Sequence, residues 1–222
     1  MSTQAKAYKG LPMEGFIASW YAKNTARDVR RFRDTARDIA ERVPSGARLL
    51  EVAPGPGYLA IELAKRGYAV TGLDISKSFV HIATRNAAQA GVAIKFEQGD
   101  AAHMPFSEAS FDFVVCTAAF KNFSNPVGAL DEIHRVLEPG GCASIIDLRK
   151  DASLDAIREE VEGMKLPPLN AALVRWTFRS LLLKRAYTRE AVEGMARRSR
   201  FGGCEIVQRG IGFDLRLTKQ GT

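Results

Sequence analysis

The segment 51–57, Glu-Val-Ala-Pro-Gly-Pro-Gly, places a carboxylate beside a glycine-rich loop that leads into a helical pattern. Gly55 and Gly57 let a bound molecule approach the backbone closely, because no β-carbon stands in its way. The helix that follows starts near Tyr58, and a helix N-terminus offers unpaired N–H groups and a partial positive charge. This loop therefore favours an anionic group, such as a phosphate or a carboxylate.

Acidic residues at the ends of apolar segments add a second kind of chemistry. The spacing from Gly55 to Ala60 fits the loose dinucleotide pattern G-x-G-x-x-G/A, and Asp74 follows near the position expected to meet a ribose. Glu51, just before the loop, suits instead a ligand with a cationic ammonium, which a dinucleotide lacks. The loop alone leaves both kinds of ligand open.

Alternating short apolar runs and helical patterns must position these residues. A long amphipathic helix is predicted over 25–43, before the first strand. Strands alternating with helices form a parallel sheet that is covered on both faces. The predicted strands are 48–53, 68–73, 92–98, 111–116 and 142–147, and the helices between them are 58–65, 76–90 and 126–137.

The end of the chain departs from this alternation. Two runs, 204–208 and 211–217, read as strands joined by the tight link Arg209-Gly210, which makes them an antiparallel pair. The expected fold class is α/β, a Rossmann-like seven-stranded, mostly parallel sheet with a C-terminal antiparallel hairpin strand and helices on both faces. Further helices are predicted over 152–163, 169–185 and 188–200.

Two later motifs decide between the ligands. Gly99-Asp100-Ala101 ends the third predicted strand, and the segment 134–141, His-Arg-Val-Leu-Glu-Pro-Gly-Gly, precedes the fifth. With the loop at 51–57, the order of these motifs resembles the class I methyltransferases that use S-adenosyl-L-methionine (SAM), specifically the type 11 branch. The resemblance covers 48–148 clearly and the C-terminal hairpin more weakly. It implies SAM as the cofactor and S-adenosylhomocysteine as its product.

The resemblance also implies how the cofactor is held. In this family the acid at Glu51 orients the loop and the methionine ammonium, and the loop glycines pack against the methionine part. Asp74 holds the ribose hydroxyls, since a carboxylate accepts two hydrogen bonds at once. Ile75 packs on adenine, and Asp100 meets its amino group. Ala53 stands where the family usually has its first glycine. The residues expected at the cofactor are Glu51, Ala53, Gly55, Gly57, Asp74, Ile75, Asp100, Ala101, Cys116 and Tyr21.

The implied reaction is direct displacement onto O, N or S of a small-molecule acceptor, which is expected to be anionic or apolar. Such a transfer needs alignment, and a base only when the acceptor must lose a proton. In this family the acceptor lies near the segment after the fourth strand, here 116–123. Lys121 is the expected catalytic residue, either binding an anionic acceptor or acting as a base whose pKa burial has lowered. The residues expected at the acceptor are Trp20, Phe120, Asn122, Asp147, Arg149, Arg175 and Trp176.

We expect a single methyltransferase domain over residues 1–222. Its parts are an N-terminal helical cap (1–47), a SAM-binding core (48–148), a helical lid insertion (149–186) and a last helix with the strand hairpin (187–222). The predicted helix 169–185 is too apolar for a lone surface helix. A lid, a subunit interface and a weak membrane-surface contact all stay open for it.

Composition and charge limit the expected partners and cellular location. The net charge of +7 is carried by basic ends around an acidic centre, which either steers an anionic partner or is solvated surface. No apolar run approaches the roughly 20 residues of a membrane span, and no signal peptide is visible, so a cytoplasmic location is expected. Cys116, Cys142 and Cys204 are widely spaced, and no metal site is expected. The chain is expected to be a monomer or a homodimer.

Three other functions remain as alternatives. Basic flanks suggest a nucleic-acid methyltransferase, but the sequence lacks an Asp/Asn-Pro-Pro-aromatic motif and a Pro-Cys pair, which makes a nucleic-acid partner a poor fit. A SAM-fold binding protein or non-methylating enzyme would carry the same cofactor residues. An NAD(P)-dependent oxidoreductase would share only the glycine loop and Asp74.

Overall fold

The computed structural model describes residues 8–9, 13–26, 29–163, 172, 174, 176 and 183–221. The strands are β1 (Arg48–Val52), β2 (Ala69–Asp74), β3 (Lys95–Gln98), β4 (Phe111–Thr117), β5 (Leu137–Leu148), β6 (Glu205–Arg209) and β7 (Gly212–Thr218). The α-helices are α1 (Gly15–Thr25), α2 (Val29–Ala40), α3 (Tyr58–Ala64), α4 (Lys77–Gln89), α5 (Pro126–Val136), α6 (Leu154–Gly163) and α7 (Arg189–Arg198). No helix among these residues is long and apolar enough to cross a membrane.

The strands form a seven-stranded sheet in the order β3-β2-β1-β4-β5-β7-β6 within the described residues. β1 pairs in parallel with both β2 and β4, β2 with β3, and β4 with β5. β7 alone runs against its neighbours, pairing antiparallel with β5 and β6. The expected α/β fold with a C-terminal antiparallel hairpin is thereby confirmed. Chain order reverses between β1 and β4, and ligands of open α/β sheets bind beyond the strand ends at such a point.

Alternating side chains of the central strands supply two hydrophobic cores, one on each face of the sheet. Leu50, Val114 and Ile145 belong to a core that includes buried residues of α5 and α7. Leu49 and Val115 belong to the opposite core, with residues of α2 and α3. Burial on both faces fixes the register of the strands, because a shift of one residue would expose both sets.

The predicted N-terminal amphipathic helix is present, but it is shorter than expected. Residues 25–43 were expected to form one helix, whereas Thr25 ends α1 and the next helix begins at Val29 and ends at Ala40. α1 buries only Ala18 and Ala22. Its large apolar residues are exposed, which is the reverse of the pattern that marks an amphipathic helix. The predicted helix 169–185 lies almost wholly outside the described residues.

Candidate active site

A cavity of about 680 Å³ lies at the carboxyl edge of the sheet, where the chain order reverses. Its walls come from the ends of β1, β2, β4 and β5, from the loop after β3, and from α1 and α2. This volume lies in the range of small-molecule and cofactor sites, roughly 300–1,000 Å³. The predicted site residues that line it are Ala53, Gly55, Asp74, Ile75, Asp100, Ala101, Trp20, Tyr21, Lys121 and Asn122.

The loop after β1 bends through positive φ angles at Ala53 (56°), Gly55 (55°) and Gly57 (80°). A β-carbon at Gly57 would lie 3.0 Å from side-chain atoms of Ala83 and Phe96, so both its φ and the close packing require glycine. At Gly55 nothing lies within 4 Å of that position, which leaves the backbone open. Ala53 adopts a left-handed conformation that costs an L-residue roughly 1–2 kcal/mol.

Asp74 ends β2 as a buried carboxylate, 6% exposed, on the cavity wall. Its two oxygens accept hydrogen bonds from different backbone groups, Oδ2 from Gly55 N at 3.0 Å and Oδ1 from Ser76 N at 2.9 Å. Burial raises the pKa of Asp74 to about 6, although these hydrogen bonds oppose the shift. Each oxygen keeps a further lone pair, so the side chain can still accept two hydroxyl groups.

Glu51 is buried below the loop, with 1% of its surface exposed, and is not among the residues that line the cavity. Its carboxyl group accepts a hydrogen bond from the backbone of Ala60 in the first turn of α3. Its Oε2 has no hydrogen-bond partner in the part of the chain that the structure describes. Burial raises the pKa of Glu51 to about 8, and the nearby charge of Asp74 adds to this shift. A buried acceptor without a partner calls for a donor or a cation.

The loop after β3 forms the far end of the cavity. Asp100 Oδ1 accepts the backbone N–H of Ala102 at 2.9 Å, and its Oδ2 lies 3.6 Å from His103 Nδ1. Ile75 is 39% exposed and lies on the wall beside Asp74. A β-carbon at Gly99 would lie 2.7 Å from Leu73 Cδ1, so this turn requires glycine for its close approach to β2.

The segment before α1 is anchored to α4, close to the cavity wall that contains Asp74. The Glu14 carboxylate accepts the backbone N–H groups of Lys77 and Ser78, both at 3.0 Å, at the N-terminus of α4. Burial opposes the charge of Glu14, but the hydrogen bonds from Ser78, Ser76 and Lys77 together outweigh it and lower the pKa of Glu14. Trp20 and Tyr21 then reach the cavity wall, 58% and 38% exposed.

An ion pair lies at the other end of the cavity, where β4 and β5 end. Lys121 Nζ donates to Asp147 Oδ1 at 2.7 Å and to the Ala118 carbonyl at 2.6 Å. Asp147 Oδ2 accepts the Lys121 backbone N–H at 2.9 Å, and Oδ1 also accepts that of Leu148. The side chains are 11% and 1% exposed, so the pair is largely withdrawn from water. Among the described residues, the third N–H of the ammonium has no partner, and it can donate to an oxygen of the acceptor.

Other predicted site residues lie outside the cavity wall. Cys116 and Phe120 are fully buried in the core, where burial raises the pKa of the Cys116 thiol, while Phe120 packs edge-on against Phe123 and Tyr187. Arg149 has a buried Nε without a hydrogen-bond partner. Trp176 is 58% exposed. Gly57 belongs to the loop whose other residues line the cavity, and Asp147 is hydrogen-bonded to Lys121, which lines it. Arg175 lies outside the described residues.

Sequence reasoning missed several residues of the wall, chiefly Tyr8 and Arg31. Tyr8 forms a single antiparallel bridge with Phe123, and the backbone N–H of Lys9 donates to the Asn122 carbonyl at 2.9 Å. Burial raises the pKa of Tyr8, with Tyr21 and Asp74 adding to the shift, so its hydroxyl stays protonated. No motif marks this tyrosine, because its neighbours follow much later in the chain.

Comparison with known proteins agrees with this geometry. Residues 50–145 match a family model described as a methyltransferase domain, a segment that runs from β1 into β5. Demethylmenaquinone methyltransferase of Deinococcus radiodurans is 38% identical over 111 residues, which cover 49% of this chain and 46% of that protein. The ubiquinone/menaquinone biosynthesis C-methyltransferase of Coxiella burnetii is 30% identical over 145 residues, which cover 60% of this chain and 56% of the Coxiella protein. The chain thus spans about half the length of these curated relatives.

A solved structure from Methanococcus maripaludis, proposed to be a SAM-dependent methyltransferase, has a TM-score of 0.77 and 21% identity to this chain. The alignment covers 100% of this chain and 98% of the Methanococcus chain. At this identity the likeness shows the fold alone. The matched segment contains the glycine loop, Asp74, Asp100 and Lys121. Residues 50–145 of this chain therefore resemble the methyltransferase domains described by that family model.

Proposed function

We propose that this chain binds SAM in the cavity and transfers its methyl group to a small, apolar acceptor of phenolic type. The observation that carries the proposal is Asp74, a buried carboxylate whose two oxygens are held by Gly55 and Ser76 on the cavity wall. A ribose with two neighbouring hydroxyls suits such a carboxylate. Ile75 and Ala101 on the same wall provide apolar surface for adenine, beside the carboxylate of Asp100.

The methionine part of SAM fits the other side of the loop. Its carboxylate would meet the backbone at Gly55, where no atom lies within 4 Å of a β-carbon position, and the N-terminus of α3. Its ammonium would supply the donor that Glu51 Oε2 lacks. A dinucleotide has no ammonium group to donate to this buried carboxyl group, which favours SAM over the oxidoreductase alternative.

Bound SAM supplies an activated methyl group, so the protein has chiefly to align the acceptor. Lys121 is fixed for this task by Asp147 and the Ala118 carbonyl at the end of β4. Held in this way, the Lys121 side chain suits hydrogen-bond donation to an anionic acceptor oxygen. Phe123 and Ile146 give this end of the cavity an apolar wall.

The relatives narrow the acceptor class. Both are named for quinones, and the Coxiella protein is named a C-methyltransferase. A reduced quinone is a flat apolar ring with phenolic hydroxyls. Once ionised, such a hydroxyl would accept the free N–H of Lys121, and its negative charge is shared with the neighbouring ring carbon. We therefore infer methylation of a ring carbon in place of the O, N or S atom expected from the sequence: the new C–C bond forms as the S–CH3 bond breaks, S-adenosylhomocysteine leaves, and the proton of that ring carbon passes to water as the aromatic ring is restored. We also propose that the protein acts in the cytoplasm.

The direct test is transfer of labelled methyl from SAM to a naphthohydroquinone with one free ring carbon. Label on that carbon, and none on a matched hydroquinone whose ring carbon is already methylated, supports carbon methylation of a phenolic acceptor. The Asp74→Ala variant should lose SAM affinity, and the Lys121→Met variant should lose turnover while it still binds SAM. A Glu138→Gln variant, at the opposite edge of the sheet, serves as the matched control. Transfer to neither compound by a protein that binds SAM would contradict the acceptor class.

A further inference from the structure

The helix α1 is placed with its small residues inward and its large apolar residues outward. Ala18 and Ala22 are buried against Phe79 and Ile82 of α4. Phe16 is 82% exposed and Trp20 is 58% exposed on the other side of the helix. Surface exposure of such large apolar side chains on one helix face is a mark of an interaction surface.

This orientation is fixed by polar contacts at both ends of the helix. The N–H of Gly15 donates to Ser78 Oγ at 2.9 Å, next to the Glu14 contacts with α4. Near its end, the Ala22 carbonyl accepts the Tyr58 hydroxyl at 3.0 Å. The outward position of Phe16 and Trp20 is therefore set by the fold.

The exposed face is continuous with the opening of the cavity. Trp20 belongs to both, and Ile17, 40% exposed, also lies on the cavity wall. A body that covers this face would therefore cover the rim of the site as well.

Cations surround the same face. Lys23 lies seven residues after Phe16, about two helical turns, so its side chain shares the outward side. Arg30 and Arg31 follow at the start of α2, and neither they nor Lys23 form an ion pair within the described part of the chain. Glu14, the acid that precedes α1, is engaged by the backbone of α4.

We propose that α1 and the start of α2 dock on an anionic lipid bilayer, with Phe16 and Trp20 entering the interfacial region. Aromatic side chains settle at that depth, and each nearby basic residue gains from the negative surface. A symmetric contact with a second copy fits less well, because a two-fold interface would bring these cations against their own copies. Docking would also place the cavity rim at the lipid surface, a consequence for an apolar acceptor that rests on the proposed function.

The chain has two tryptophans, which allows a direct test. In a Trp176→Phe variant, Trp20 is the only indole. Its emission should shift to the blue with phosphatidylglycerol vesicles and stay unchanged with phosphatidylcholine vesicles. The protein should co-sediment with the anionic vesicles, and binding should fall as the salt concentration rises.

Two independent variants test the apolar and the electrostatic contributions to vesicle binding separately. Phe16→Asp removes apolar contact, and Lys23→Glu with Arg30→Glu reverses two charges; each should weaken vesicle binding by about tenfold or more. Leu154→Ala, which removes an exposed apolar side chain on α6 (59% exposed), is the matched control and should bind like the parent. Since the assay measures binding alone, its result is separate from that of the methyl-transfer assay.

Three results would overturn the proposal. The first is absence of binding to anionic vesicles, and the second is binding that neither variant weakens. The third is self-association, or capture of an acidic protein, that Phe16→Asp abolishes while vesicle binding persists unchanged.

Discussion

Glu51 should couple binding of the cofactor to the release of a proton. Its carboxyl group is buried, its pKa is raised to about 8, and its Oε2 has no partner. At pH 7 a group with this pKa is about nine-tenths protonated. A cationic ammonium placed beside it favours the carboxylate form, so the proton should leave when the ligand binds.

The magnitude follows from these values. If the bound pKa falls well below 7, ligand binding at pH 7 releases about 0.9 proton from Glu51. Asp74, whose pKa is raised to about 6, is mostly ionised at this pH and contributes only about 0.1. Titration calorimetry with S-adenosylhomocysteine in buffers of different ionisation enthalpy gives the number of protons directly.

Variants separate Glu51 from other sources of protons. Glu51→Gln cannot release a proton and should bring the count close to zero, whereas the control Glu138→Gln should leave it near that of the parent. A parent count near zero at pH 7, or an undiminished count in Glu51→Gln, would refute the reasoning.

The same pKa makes the stability of the ligand-free protein depend on pH. Because the folded pKa of Glu51 lies above its ordinary value of 4.5, folding favours the protonated form, and the free energy of unfolding falls as pH rises from about 4.5 to about 8. Each unit of difference is worth about 1.4 kcal/mol, so the full loss is on the order of 5 kcal/mol as an upper value. Denaturant titrations should show this slope in the parent and a much flatter profile in Glu51→Gln.

Three further substitutions test separate parts of the site. Ala53→Gly should raise the free energy of unfolding by up to about 1 kcal/mol, because relief of the left-handed conformation exceeds the added chain entropy; urea denaturation that shows a loss would contradict this. Lys121→Met should abolish most turnover but keep affinity for S-adenosylhomocysteine, and it should cost about 3–5 kcal/mol of stability by leaving buried Asp147 unpaired; unchanged kcat would exclude the proposed role. Tyr8 lines the cavity beside Phe123, and we expect its hydroxyl to donate to the acceptor. Tyr8→Phe should then lower kcat/KM for the acceptor by about tenfold, and weaker binding of S-adenosylhomocysteine instead would place Tyr8 at the cofactor.

The sheet was predictable because its signals are local in sequence. Short apolar runs that end in turn residues foretold β1, β2 and β4 to within one or two residues, and the Arg209-Gly210 link foretold the antiparallel hairpin. Gly57 and Asp74 could also be located, since each depends on a turn directly after a strand.

Features that depend on tertiary packing escaped the sequence. The pairing of Lys121 with Asp147 arises only because β4 and β5 lie side by side in the sheet. Tyr8 reaches the cavity through one bridge to Phe123, which no local pattern announces. The helix α1 was missed because its buried face consists of alanines, while its aromatic side chains point outward.

The central claim, that this cavity is a SAM site, is tested most directly by titrating the protein with S-adenosylhomocysteine and, separately, with NADPH. We predict saturable binding of S-adenosylhomocysteine, no binding of NADPH, and a loss of roughly 2–3 kcal/mol in affinity for S-adenosylhomocysteine in the Asp74→Ala variant. Binding of NADPH, or affinity for S-adenosylhomocysteine that Asp74→Ala leaves unchanged, would contradict the assignment.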